Sequence, residues 1–251
     1  MTGKTCEVYV LDSAPYQKTW EQQKTIANGV AEGTRLPTLL LVEHPHTYTF
    51  GRRGHAENLL WNESERDARG IAVHWVDRGG DVTYHGPGQL VGYPIIPLST
   101  EGLKIAPNGS PRLPQADYVG YVRKLEAVLI HVLADFGLIC GQIEGQTGVW
   151  IQPDVASRCR HCPPEAKLHP AKIAAIGIKV DARGITRHGF ALNVAPDMSY
   201  WDGIIGCGLD APVVSMADLL WEPPTLHEVR TRVIYHFGAL FKYTMELVDE
   251  K

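Results

Sequence analysis

Apolar residues recur at helical spacing in only a few places along this chain. Elsewhere they come in short bounded runs that suit strands. Tyr16, Trp20, Gln23, Ala27 and Val30 share one helical face that Gly33 closes, and Ser13-Ala14-Pro15 offers an N-cap and an early proline. Asp117 is placed to cap the strongest helix. In it Tyr121, Leu125, Val128, Leu129, Val132 and Leu133 keep one apolar stripe, and Gly137 ends it. The capping-box patterns Ser215–Asp218 and Thr225–Glu228 predict two C-terminal helices split by Pro223-Pro224. Strands are predicted at Glu7–Leu11, Thr38–Val42, Val73–Val76, Val82–Tyr84, Leu90–Ile96 and Val149–Ile151. Ile173–Val180 and Ile185–Val194 form a further hairpin around Asp181–Gly184, and Ser99–Gln115 reads as a loop. Because strands and helices mix without strict βαβ alternation, the expected class is α+β, a mixed sheet flanked by helices.

A length of 251 residues fits one large domain, and the expectation is a single unit over 1–251. With 44% apolar and 21% charged residues the chain has a globular composition, not a disordered one. Its 24 basic and 28 acidic residues provide no general basic footprint for nucleic acid. No apolar run approaches the roughly 20 residues that span a bilayer. The N-terminus has neither a signal-peptide core nor transit-peptide character, so a cytoplasmic location is expected. Cys6, Cys140, Cys159, Cys162 and Cys207 are odd in number and scattered, as reduced thiols are.

The most unusual stretch is Arg78-Gly79-Gly80-Asp81-Val82-Thr83-Tyr84-His85-Gly86-Pro87-Gly88-Gln89. Its glycines let backbone approach a ligand and leave N–H groups free to bind it. The plain alternative is a tight hairpin with a Gly-Pro-Gly turn. No Gly-Lys-Ser/Thr follows, and the spacing of a dinucleotide fingerprint is missing, so neither phosphate loop is present.

The segment RGGDVTYHGPGQL resembles the signature of the lipoyl(octanoyl) transferases. The resemblance continues upstream in LVEHPHTYTFGRRG at Leu41–Gly54. Downstream it takes in Lys172–Ile178, His188–Val194 and Cys207-Gly208 in the family's order. It implies a biotin/lipoate protein ligase-like fold and transfer of octanoyl from octanoyl-acyl carrier protein to a lysine of apo lipoyl domains. The implied acceptors are those of 2-oxoacid dehydrogenases and the glycine-cleavage H protein. No cofactor, nucleic acid or membrane partner is implied.

By the same resemblance Cys207 carries the acyl thioester and Lys172 lowers its pKa and serves as acid and base. Arg78–His85, Ala175, Ile176 and Gly177, and Gly189, Phe190 and Ala191 border the acyl group. A thiol paired with an ammonium suits this chemistry, because the thiolate is the nucleophile and the thioester is already activated. His85 and His188 are expected to orient the signature loop or the thioester carbonyl. Arg52 and Arg53 are candidates for a basic rim facing acidic protein partners.

Two departures stand out. Gly206 occupies the place where the family usually has proline. An insertion near 152–170 carries Cys159-Arg160-His161-Cys162, with His169 close behind. Cys159 and Cys162 are half of a zinc site at most, against the alternative of a polar surface loop. Three other readings stay open. One is an ATP-dependent lipoate or biotin ligase of the same fold, and another is a non-catalytic carrier-protein or lipoyl-domain binder. The third, a Cys/His hydrolase, lacks its sequence context, since no cysteine here precedes tryptophan.

Overall fold

The computed structural model describes residues 4–98, 104–105, 111–112, 117–157, 164–206 and 211–248. Cys159, Cys162 and Cys207 lie outside the described residues, so the zinc and nucleophile expectations have no structural counterpart here. The chain runs β1 (Lys4–Leu11), α1 (Tyr16–Glu32), β2 (Thr38–Val42), β3 (Thr47–Phe50), α2 (Glu63–Ala68), β4 (Ala72–Trp75), β5 (Val82–His85) and β6 (Gln89–Ile95). It continues through β7 (Lys104–Ile105), β8 (Pro111–Arg112), α3 (Tyr118–Asp135), β9 (Gly141–Ile143), β10 (Gln146–Ile151) and α4 (Pro153–Ala156). Last come β11 (Ala171–Val180), β12 (Thr186–Asn193), α5 (Met216–Leu219), α6 (Leu226–Phe241) and β13 (Tyr243–Val248).

Among the described residues, one sheet has the order β13-β1-β2-β6-β12-β11-β10-β9, with β1 parallel to both neighbours and the other pairs antiparallel. A second sheet, β4-β3-β5, stands apart. The expected mixed sheet with flanking helices is therefore present. Strand alternation sends Leu39, Leu41, Leu90 and Leu192 to one face, where α3 and α6 cover them with Leu125, Leu129, Val233 and Phe237. Leu40, Val42, Val91, Tyr93 and Ala191 point to the other face, which Tyr16 of α1 meets. Tyr48, Phe50, Val82 and Tyr84 form a separate small core within the second sheet.

Local chemistry explains most boundaries. The Asp117 carboxylate accepts the Gly120 N–H at 2.7 Å, and both C-terminal capping boxes close as their sequences predict. α1 departs from expectation. Pro15 stands at its cap with no side-chain bond, so Ser13 does not cap the helix. The Gly-Pro-Gly segment is not a hairpin turn either, because β5 pairs with β3 in the second sheet and β6 belongs to the first. The C-terminus also differs. The second predicted helix stops at Phe241, Lys242 takes the left-handed region at φ 60°, and the chain returns as β13 beside β1. No glycine or proline announces that reversal.

Leu129 is fully buried between α3 and the sheet. Leu129→Ala should cost about 2–5 kcal/mol of stability through lost burial and a residual cavity. Urea denaturation checks this; an unchanged midpoint would contradict the packing described.

Candidate active site

A cavity of about 360 Å³ lies on the α1 side of the large sheet, beneath the loop that leads into β5. That is within the ordinary range of about 300–1,000 Å³ for small-molecule sites. Its floor follows from register. Val42, Val91, Ala191 and Ala175 lie side by side across β2, β6, β12 and β11. Two residues along, Leu40 pairs with Tyr93 and Gly189 with Gly177. Side chains are thus large over β2 and β6 and minimal over β12 and β11, which leaves a trough over the latter pair.

The glycine-rich segment closes one side. Gly79 N–H donates to Ile178 O at 2.9 Å, which fastens the loop to β11. Gly80 adopts φ 86°, a conformation that suits glycine. At Gly177 a Cβ would come within 3.0 Å of Arg78 Cδ and 3.1 Å of Gly79 O, so the missing side chain lets Arg78 and the loop sit close to β11. Arg78 is buried. Its guanidinium donates to Thr49 Oγ1 at 3.0 Å, to Thr49 O and to Gly79 O at 2.9 Å, so it shapes the wall. Thr83 and His85 alternate toward the cavity, whereas Val82 and Tyr84 point into the core of the small sheet. Asp81 also turns away. It accepts from Val82 N at 2.7 Å, His55 N at 3.2 Å and Asn58 Nδ2, bracing the neighbouring loop. Of the eight signature residues singled out, Arg78, Gly79, Gly80, Thr83 and His85 line the cavity.

Lys172 lines the same space and is buried, its ammonium 4.6 Å from the centre of the Trp150 ring. Its backbone is held along one edge by the 212–214 segment: Lys172 N–H donates to Pro212 O at 2.8 Å, and Val214 N–H donates to Lys172 O at 3.0 Å. Ala175, Ile176, Gly177, Gly189, Phe190 and Ala191 also border the cavity, together with Arg53. Arg52 does not reach it. Glu126, fully buried in α3, accepts the Gly148 N–H at 3.0 Å and pairs with Arg123 at 2.8 Å. That bond holds the Gly145–Thr147 turn against the pocket.

At the opposite wall Tyr16, Tyr93 and His188 line the cavity, with His44 and Asp77 bonded behind them. His44 Nδ1–H donates to Ala14 O at 2.7 Å, so its Nε2 accepts from the Tyr93 hydroxyl at 2.8 Å. Burial lowers the His44 pKa from 6.5 to about 4, consistent with that neutral tautomer. His188 Nε2–H donates to Asp77 Oδ1 at 2.8 Å, and its Nδ1 stands 3.3 Å from the Tyr16 hydroxyl. Hydrogen bonding to His188 and then to Arg187, at 2.7 Å, holds the Asp77 carboxyl well below its usual range. Burial pushes the Tyr16 phenol up to about 12 and the His85 ring well below 6.5. His85 Nδ1 lies 2.8 Å from Gln89 Oε1, which ties it to the turn after β5. In the sequence Tyr16 and Tyr93 are ordinary helix and strand positions, and nothing there singles out Asp77.

The catalytic-domain family of lipoyl protein ligases A and B matches residues 15–238 of this chain. The chain is similar to an octanoyltransferase of Chloroflexus aurantiacus, 41% identical over 239 residues that cover 95% of each chain. An octanoyltransferase of Solibacter usitatus is 41% identical over 242 residues, 96% of each chain. Among solved structures, the lipoylation system of Thermoplasma acidophilum, a bipartite lipoate protein ligase, superposes with a TM-score of 0.65 at 16% identity. That alignment covers 100% of this chain and 88% of the other, and it establishes a shared fold.

Histidines buried in their neutral form make stability depend on pH. The unfolded His44 takes up a proton as pH falls below about 6.5, while the folded one resists until about 4. Stability is therefore complete above 6.5 and declines between 6.5 and 4, by roughly 3 kcal/mol from His44. In urea midpoints measured from pH 7 to pH 4.5, His44→Gln should show the shallower slope. Parallel slopes would contradict the assignment.

Proposed function

This chain belongs to the octanoyltransferase family, acyltransferases of lipoate biosynthesis, and on that premise we propose that Cys207 and Lys172 carry out its transfer through a cysteine thioester. The observation that carries the reading is the trough of Ala175, Gly177 and Ala191 with Lys172 on the same cavity. An octanoyl chain laid on that floor gains about 0.8 kcal/mol for each methylene removed from water. Pro212 and Val214, which grip the Lys172 backbone, follow Cys207 by five and seven positions, so the chain bearing the thiol continues directly into the lysine's own hydrogen bonds.

The donor is octanoyl-acyl carrier protein. The Cys207 thiolate attacks the thioester carbonyl, the carbon–sulfur bond to pantetheine breaks, and the departing thiolate takes a proton from the Lys172 ammonium. A neutral lysine amine of an apo lipoyl domain or glycine-cleavage H protein then attacks the acyl-cysteine. Lys172 takes the amine proton, the amide forms and the Cys207 thiolate returns. Since the incoming thioester is already activated, neither ATP nor a cofactor enters the cycle. The Lys172 ammonium favours the thiolate of Cys207 by charge. Arg53 on the cavity and Arg52 beside it form a basic rim for acidic carrier partners. The whole chain acts as one catalytic unit, and a thiol nucleophile suits the reducing cytoplasm.

Cys207→Ser should abolish octanoyl transfer to an apo lipoyl domain, and full transfer by that variant would sink the mechanism. Lys172→Ala should slow transfer by at least ~100-fold, as loss of an acid–base group does. It should also move the pH profile of iodoacetamide alkylation at Cys207 upward; an unmoved profile would remove Lys172 from the pair.

A further inference from the structure

Tyr16 stands where the trough ends. The cavity spreads from β11, which bears Lys172, across β12 to β6, two strand spacings or about 10 Å. That is close to the length of an extended eight-carbon chain. At the β6 side Tyr16 packs with Tyr93, Val91 and Leu40, and it is 2% exposed, so this end is closed to solvent.

The ring is confined on several sides. It stacks on His85 at 5.6 Å and on His74 at 5.7 Å, and it meets His44 at 5.1 Å. The hydroxyl is fixed by a directed chain. Asp77 accepts from His188 Nε2–H, which leaves Nδ1 to accept from the Tyr16 O–H. His188 also donates its backbone N–H to Gln23 Oε1 at 2.8 Å. Tyr16 and Gln23 are seven residues apart on one face of α1, so His188 staples that helix to β12 at two points. It does so from φ 55°, a backbone region uncommon for a residue other than glycine. Both ring nitrogens are committed to this task, which leaves His188 no lone pair for general-base work.

Resting on the reading of this cavity as the acyl site, we propose that Tyr16 sets the acyl chain length the enzyme accepts, and that Asp77 and His188 are positioning residues that hold it as the pocket's end wall. A longer chain has to push methylenes against a ring that cannot turn and a hydroxyl whose partner is already engaged. In a shaped apolar pocket one methylene more or less discriminates by about 10–200-fold.

The test compares transfer rates to an apo lipoyl domain from acyl-carrier-protein thioesters of six to fourteen carbons. The wild type should fall at least ~10-fold from eight to twelve carbons, and Tyr16→Ala should raise the twelve-to-eight ratio by a similar factor. Tyr16→Leu serves if the alanine variant fails to fold, and Tyr16→Trp should shift the preference toward six carbons. Asp77→Ala should loosen the same ratio several-fold without moving the iodoacetamide profile of Cys207, which a general structural defect would also disturb. An unchanged ratio in the folded Tyr16 variants, with octanoyl transfer intact, overturns the length-setting role alone. No transfer from any chain length by the wild type overturns the acyl-site reading and the inference with it.

Discussion

The pairing of β11 with β12 puts Ala175 opposite Ala191 and Gly177 opposite Gly189, and the pocket depends on that register. The intervening pair, Ile176 and Phe190, belongs to the alternate set. A slip of one residue would turn bulky side chains into the trough and send the small ones to the core face. The register is secured from outside the pocket as well. Phe190 and Leu192 are buried against the α3 side of the sheet, and Gly79 bonds to Ile178. Core packing and site geometry are thus two consequences of one alternation.

On this floor the polar groups are distributed by task. Arg78, Asp81, Glu126 and His85 spend their hydrogen-bonding capacity on the loops around the cavity, and Asp77 with His188 spends it on Tyr16. Lys172 differs. Its backbone bonds hold it in place, while its side chain lies in the cavity with the Trp150 ring beside it. Among the described residues the Lys172 head group is thus placed for chemistry and the surrounding charges serve as framework, which is why the proposed role falls to it.

Much of this was legible in the chain. α3, both capping boxes and the Asp181–Gly184 hairpin each had a local cause in caps, periodicity or turn residues. The small side chains of Ala174, Ala175 and Gly177 are likewise plain in the sequence, and the structure puts Ala175 and Gly177 on the cavity. What escaped has a common reason: it depends on contacts between distant segments. β13 follows a left-handed Lys242 that no glycine marks, and its pairing partner lies at the opposite end of the chain. β3 and β4 form their own sheet only because β5 leaves the main one. The signature segment is one continuous motif in the sequence, yet alternation sends Val82 and Tyr84 into the core of the small sheet and Thr83 and His85 to the cavity. In the sequence Tyr16 is one more apolar position on a helix. Its part in the site emerges only from His188, 172 residues away.

The central claim is that the acyl group passes through a covalent bond to Cys207. The most direct measurement is the intact mass of the protein after mixing with octanoyl-acyl carrier protein in the absence of ATP. The account predicts one octanoyl adduct, removable by hydroxylamine and mapped to the peptide containing Cys207. An unmodified protein that nonetheless transfers octanoyl to an apo lipoyl domain would contradict it.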